Sequence, residues 1–267
     1  GSSYYLEMGD ANILVDCGPG SANRLIEAGI RPTEITHLLL THLHYDHCVD
    51  FACIHSWRWD QGAGHTHPLQ LIGPAGTATF YESLFGENGA FRPDIQARTE
   101  HPLSHAVYEL RGGQLPRRPP EVELTEVHSG DEINLGSCLL SVAQGIHAEP
   151  YLTCLAYRIQ AGEDSICFTG DTGPTRAVSK LARDAHTLVH MCHFQNSDQV
   201  DSRLAKTCSG HLDAARHADE AGVKRLVLIH LTPSLQDSVK QEKMQKEAAE
   251  VFSGEILFGE DLMRLSI

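Results

Sequence analysis

The apolar positions of this chain fall in short blocks punctuated by turn-forming residues. Blocks at 4–7 and 13–16 flank Gly9-Asp10-Ala11-Asn12 and read as a hairpin. Further blocks of strand length stand at 36–40, 69–72, 122–127, 138–143, 155–159, 165–168, 187–190, 225–229 and 255–258. Helical spacing fills the gaps at 22–28, 75–84, 176–182, 212–221 and 240–252, and a further helix is expected to run through Trp59. Ser21 is placed to cap the first helix and Gly29 to end it. Strands interleaved with helices in both halves predict an α/β layered domain spanning 1–267. Residues 85–120 differ. Their scattered Gly and Pro predict an inserted, lid-like segment over one face.

Composition narrows the function. Apolar residues make up 41% of the chain, enough for a core and against disorder. Acidic side chains outnumber basic ones for a net charge of −14, so nucleic acid is an unlikely partner on charge grounds. No apolar run approaches a membrane span of about 18 residues. Eight cysteines without a CxxC pair read as reduced thiols, and a cytoplasmic location is expected. Seventeen histidines are the outlier, and they point to a metal site or acid–base chemistry.

Position sharpens that signal. His42-x-His44-x-Asp46-His47 packs four metal-competent side chains into six residues at the end of a predicted buried strand. Alternate residues of an extended segment point the same way, so His42 and His44 can converge on one ion. The turn that follows carries Asp46 and His47 to a neighbouring position. Imidazole and carboxylate are the ligands zinc takes. His147, Asp171 and His230 each follow a predicted strand and are the further candidate ligands.

The ordered set Asp16, His42-x-His44-x-Asp46-His47, His147, Asp171 and His230 resembles the five motifs of the metallo-β-lactamase fold superfamily. The resemblance implies a four-layer αββα sandwich and a binuclear site, most often Zn2+, with Mn2+ or Fe2+ as variants. It implies that His42, His44 and His147 serve one metal, that Asp46, His47 and His230 serve the other, and that Asp171 bridges. Asp16 would support the ligand loop without binding metal. The segments 16–20, 168–172 and 222–230 are similar to the ribonuclease Z branch. That branch has a small residue where Tyr45 stands, a Glu where Met191 stands, and a catalytic His that aligns with Cys208, His211 being the nearest histidine.

These departures, the net charge and the lack of a Lys-rich arm lead to one expectation: a hydrolase using metal-activated water on an ester or phosphodiester of a small molecule. The alternatives are a ribonuclease Z-type tRNA 3′-processing endonuclease and a metal-binding regulatory protein with little turnover. Asp46 is expected to orient the nucleophile, and His193 or His211 to protonate the leaving group. Expected partners are a small-molecule substrate and, for assembly, a second copy of the chain, with no membrane.

Overall fold

The computed structural model describes residues 1–267, the Asp198 side chain excepted. The chain divides into two compact units, residues 1–7 with 11–126 and residues 8–10 with 127–267.

The first unit is built on a five-stranded sheet in spatial order β1 (Tyr4–Met8), β2 (Ala11–Val15), β3 (His37–Leu39), β4 (Leu69–Gly73) and β5 (Val122–Glu126). β2 to β5 are mutually parallel, as buried strands joined by helical crossovers must be. The helices are α1 (Ser21–Glu27), α2 (Tyr45–Cys48), α3 (Phe51–Gly62) and α4 (Thr77–Phe85). Leu14, Leu38, Leu40, Leu69 and Leu71 from the sheet pack with Phe51, Ile54 and Phe85 from the helices.

The segment at 85–120 carries two nine-residue helices, α5 (Arg92–Glu100) and α6 (Pro102–Leu110), each begun with proline in its first turn. Proline is tolerated there because that turn's N–H groups have no helical partner. The segment is pinned to α3 through Asp60, which receives Arg98 at 2.8 Å, Arg111 at 2.7 Å and Arg117 at 2.8 Å. The Arg117 guanidinium lies 4.3 Å from the Trp59 ring centroid and 5.0 Å from that of Tyr108. Burial raises the Asp60 pKa, but the Arg117 and Arg111 hydrogen bonds outweigh it and hold the carboxyl below its ordinary value.

The second unit is built on a seven-stranded sheet ordered β12 (Glu255–Phe258), β11 (Arg225–Ile229), β10 (Thr187–Met191), β9 (Asp164–Phe168), β8 (Leu155–Ala161), β7 (Cys138–Gln144) and β6 (Glu132–Leu135). β9 to β12 are parallel, and β6 to β9 alternate in direction. β7 therefore runs the same way as β9, and the C-terminal ends of β7, β9, β10 and β11 lie along one edge. The remaining helices are α7 (Arg176–Leu181), α8 (Leu204–Thr207), α9 (His211–Ala221) and α10 (Ser238–Ala249). The small inward face of α9, Ala214, Ala215, Ala218 and Ala221, packs closely with Leu188, Leu226 and Leu228. Among the described residues no helix is long and apolar enough to cross a membrane.

Candidate metal centre

In the first unit the candidate ligands follow parallel strand ends. Asp16 comes directly after β2, and Thr41-His42 follows β3. Asp16 is 1% exposed and adopts φ 58°, a left-handed conformation that Asp accepts more readily than most residues. The turn beyond it lies against the ligand loop. A Cβ at Gly18 would stand 1.9 Å from the Asp46 carbonyl oxygen, so only glycine permits that approach.

Asp16 organises the histidines. Its Oδ1 accepts the Thr41 N–H at 2.8 Å, and its Oδ2 accepts the Thr41 hydroxyl at 2.8 Å and His47 Nδ1–H at 2.8 Å. Having given its proton to Asp16, the Thr41 hydroxyl is an acceptor for His42 Nδ1–H at 3.1 Å. One carboxylate thus sets both tautomers, leaving the Nε2 lone pairs of His42 and His47 for another partner. His42 Nε2 comes within 3.0 Å of His44 Nδ1, and His47 Nε2 within 3.9 Å of Asp46 Oδ2.

In the second unit the loops after β7, β9, β10 and β11 carry His147, Asp171, His193 and His230. His147 Nδ1–H donates to the Thr207 carbonyl at 2.8 Å, which turns its Nε2 lone pair to within 3.7 Å of Asp171 Oδ2. His230 Nε2 is 3.3 Å from the same oxygen, and His230 also takes a positive φ, 57°. A Cβ at Gly173 would meet the Lys206 carbonyl oxygen at 2.0 Å, so glycine lets the Asp171 loop lie against the 206–207 backbone. Ser209 ties the loops together. Its hydroxyl donates to the Thr172 carbonyl at 2.8 Å, and its own carbonyl accepts the His193 N–H at 2.9 Å.

Each unit therefore presents imidazole nitrogens and carboxylate oxygens grouped within hydrogen-bonding to near-contact distance, with the opposite ring nitrogens of His42, His47 and His147 held by oxygen acceptors. That is the donor chemistry of a divalent cation site, zinc above all.

The two candidate proton donors differ in setting. His193 is partly buried, with its ring 5.7 Å from that of His230. His211 is fully buried, its Nδ1 2.6 Å from the Gln195 carbonyl and its Nε2 2.9 Å from a Glu247 carboxylate oxygen. Cys208 lies 3.7 Å from His147 Nδ1. Burial, helped by the Asp171 carboxylate, pushes its thiol up to about 11, so it remains a thiol near neutrality.

Sequence reasoning missed the pair His190 and His217. His190 Nδ1–H donates to the Met191 carbonyl at 2.9 Å, and its Nε2 accepts His217 Nδ1–H at 2.8 Å. Thr175 N–H then donates to His217 Nε2 at 3.2 Å. Burial, with His217 second, lowers the His190 pKa to about 3, so the chain of hydrogen bonds holds neutral rings. The separation of 27 residues left no local signal for it.

Comparison with known proteins bears on the whole chain. A family model described as the metallo-beta-lactamase superfamily matches residues 1–211. A ribonuclease Z of Mycobacterium sp. (strain KMS) is 32% identical over 272 residues, covering 100% of this chain and 90% of the relative. Among solved structures, the metallo-beta-lactamase fold protein YhfI from Bacillus subtilis aligns with a TM-score of 0.71 at 23% identity over 97% of this chain and 89% of that one. The short form of human tRNase Z aligns with a TM-score of 0.66 at 19% identity over 100% and 92%. The expected fold class, two sheets with helices in the αββα family, is the fold of these neighbours.

The expectation of a small-molecule substrate, with nucleic acid unlikely, is overturned. Full-length relatives are named ribonuclease Z, and a tRNase Z shares the fold. The physical error lay in using the net charge of the whole chain. Field inside a metal site is dominated by the cations, whatever the distant surface carries.

Proposed function

We propose that this chain, which belongs to the metallo-beta-lactamase superfamily and resembles its ribonuclease Z branch, is a metal-dependent phosphodiesterase that cleaves RNA. The observation that carries this reading is similarity to ribonuclease Z along 100% of the chain.

His42, His44, Asp46 and His47 of the first unit and His147, Asp171 and His230 of the second are the residues that would hold divalent cations, which would supply Lewis acidity and neutralise phosphate charge. The chain's own residues do the rest. Asp16 holds His47 directly and His42 through the Thr41 hydroxyl, so neither ring has to reorient during turnover. The Asp46 side chain, one-third exposed, accepts a hydrogen bond from the attacking water and takes its proton. His193 gives a proton to the leaving ribose oxygen. Its ring is partly accessible, whereas His211 is closed in by Gln195 and Glu247.

The test is cleavage of a precursor tRNA with a 3′ extension by zinc-loaded protein, with Asp171→Ala and a chelated sample as blanks. Cleavage that disappears in both blanks supports the reading. Absence of cleavage by protein of verified metal content overturns it.

A further inference from the structure

The chain has eight Phe, seven Tyr and two Trp, and among the described residues fifteen of these seventeen rings are buried or half-buried. The two exceptions are Tyr45, 72% exposed, and Tyr151, 90% exposed. Both stand on the candidate ligand loops. Tyr45 opens α2 between His44 and Asp46, in the position where the ribonuclease Z branch carries a small residue. Tyr151 stands four residues beyond His147, on the turn closed by its own N–H to the Ala148 carbonyl at 3.0 Å. The β7–β8 loop bearing it is itself closed by the Gly145 N–H to the Cys154 carbonyl at 2.9 Å.

A tyrosine ring left mostly in water gains little from folding, since its apolar faces stay largely hydrated. Two such rings, each flanking metal-competent residues, suggest a ligand with flat apolar faces. We infer that Tyr45 and Tyr151 are stacking platforms for unpaired bases of the RNA on the ligand loops. This rests on the ribonuclease reading and names the form of RNA it takes.

The chemistry of stacking supports the same conclusion. A neutral ring binds the neutral face of a base without meeting the phosphate charge. A base inside a duplex has both faces covered by its neighbours. The substrate must therefore be unpaired where it meets these loops.

The experiment is steady-state cleavage of an RNA with a single-stranded 3′ extension by full-length, zinc-loaded protein. The variants are Tyr45→Phe, Tyr45→Leu, Tyr151→Phe and Tyr151→Leu, each with its zinc content measured. Each Leu variant is expected to raise KM about tenfold, with kcat within about twofold and zinc unchanged, and each Phe variant to keep the wild-type KM. Abasic nucleotides placed one at a time across the cleavage point should abolish the difference between wild type and one Leu variant at one position. Cleavage by wild type with unchanged KM in both Leu variants overturns the stacking platforms alone. No cleavage of any RNA by zinc-loaded wild type overturns the ribonuclease reading and the platforms together. Leu variants that lose kcat and zinc while keeping KM overturn the platforms in favour of a purely structural role for the loops.

Discussion

The Asp16 carboxylate and the His47 imidazole meet at 2.8 Å with both side chains at most 2% exposed. The carboxylate also takes both Thr41 donors, so three hydrogen bonds converge on one buried group. An anion so placed stiffens the ring and raises its basicity toward a cation.

Replacing Asp16 with Asn keeps the shape but removes the charge and can leave His47 in the wrong tautomer. Zinc affinity is expected to fall by about 10- to 100-fold, with activity following metal occupancy. Competition titration against a fluorescent chelator measures it. Wild-type affinity in the variant would remove Asp16 from the support of this site.

His55 stacks on Phe51 at 5.4 Å and meets the Phe85 edge at 4.8 Å, and neither ring nitrogen has a hydrogen-bond partner among the described residues. Burial, then the Arg58 charge, lowers its pKa from 6.5 to about 3. The unfolded chain therefore binds a proton at His55 between those values while the folded chain does not. Its contribution to stability is present above pH 6.5 and is lost as pH falls toward 3. His55→Phe is expected to stabilise the fold by about 1 kcal/mol at neutral pH and to flatten this acid dependence. Urea titrations at pH 7 and pH 5 test it; equal pH slopes in wild type and variant would count against it.

Arg117 is 6% exposed and joins Trp59, Tyr108 and Asp60. Arg117→Met keeps the apolar stem but removes one of the three arginines on Asp60, leaving Arg98 and Arg111. A loss of about 1–2 kcal/mol is expected, with faster proteolysis inside 85–120. Limited trypsin digestion with peptide mapping reads the second effect. Cleavage spread evenly along the chain would show that the segment is not held by this arginine.

His193→Ala is expected to cost at least about 100-fold on an RNA substrate, whose leaving alkoxide needs a proton. The cost should be small on bis(p-nitrophenyl) phosphate, whose phenolate leaves unaided. Both metals should remain bound. Similar losses on the two substrates would remove His193 from leaving-group protonation.

The candidate ligands were legible in the sequence because each lies beside a block that predicts a strand. A strand end gives direction to the residues after it, and parallel strands bring those ends to one edge. His42, His44, Asp46 and His47 needed only their own spacing. His147, Asp171 and His230 needed the strand blocks before them.

Other features depend on residues far apart in the chain. Arg117 reaches Asp60 across 57 positions, and Glu247 reaches His211 across 36. No periodicity carries such a pairing, because it arises from how helices pack and not from local spacing. The exposure of Tyr45 and Tyr151 was hidden for the same reason, since an aromatic residue in a sequence is ordinarily read as core. Local spacing decides which side chains a strand or turn can bring together. Which of them face water, which are closed off and which share a charge is decided by packing between distant segments, where the energy of burial is settled.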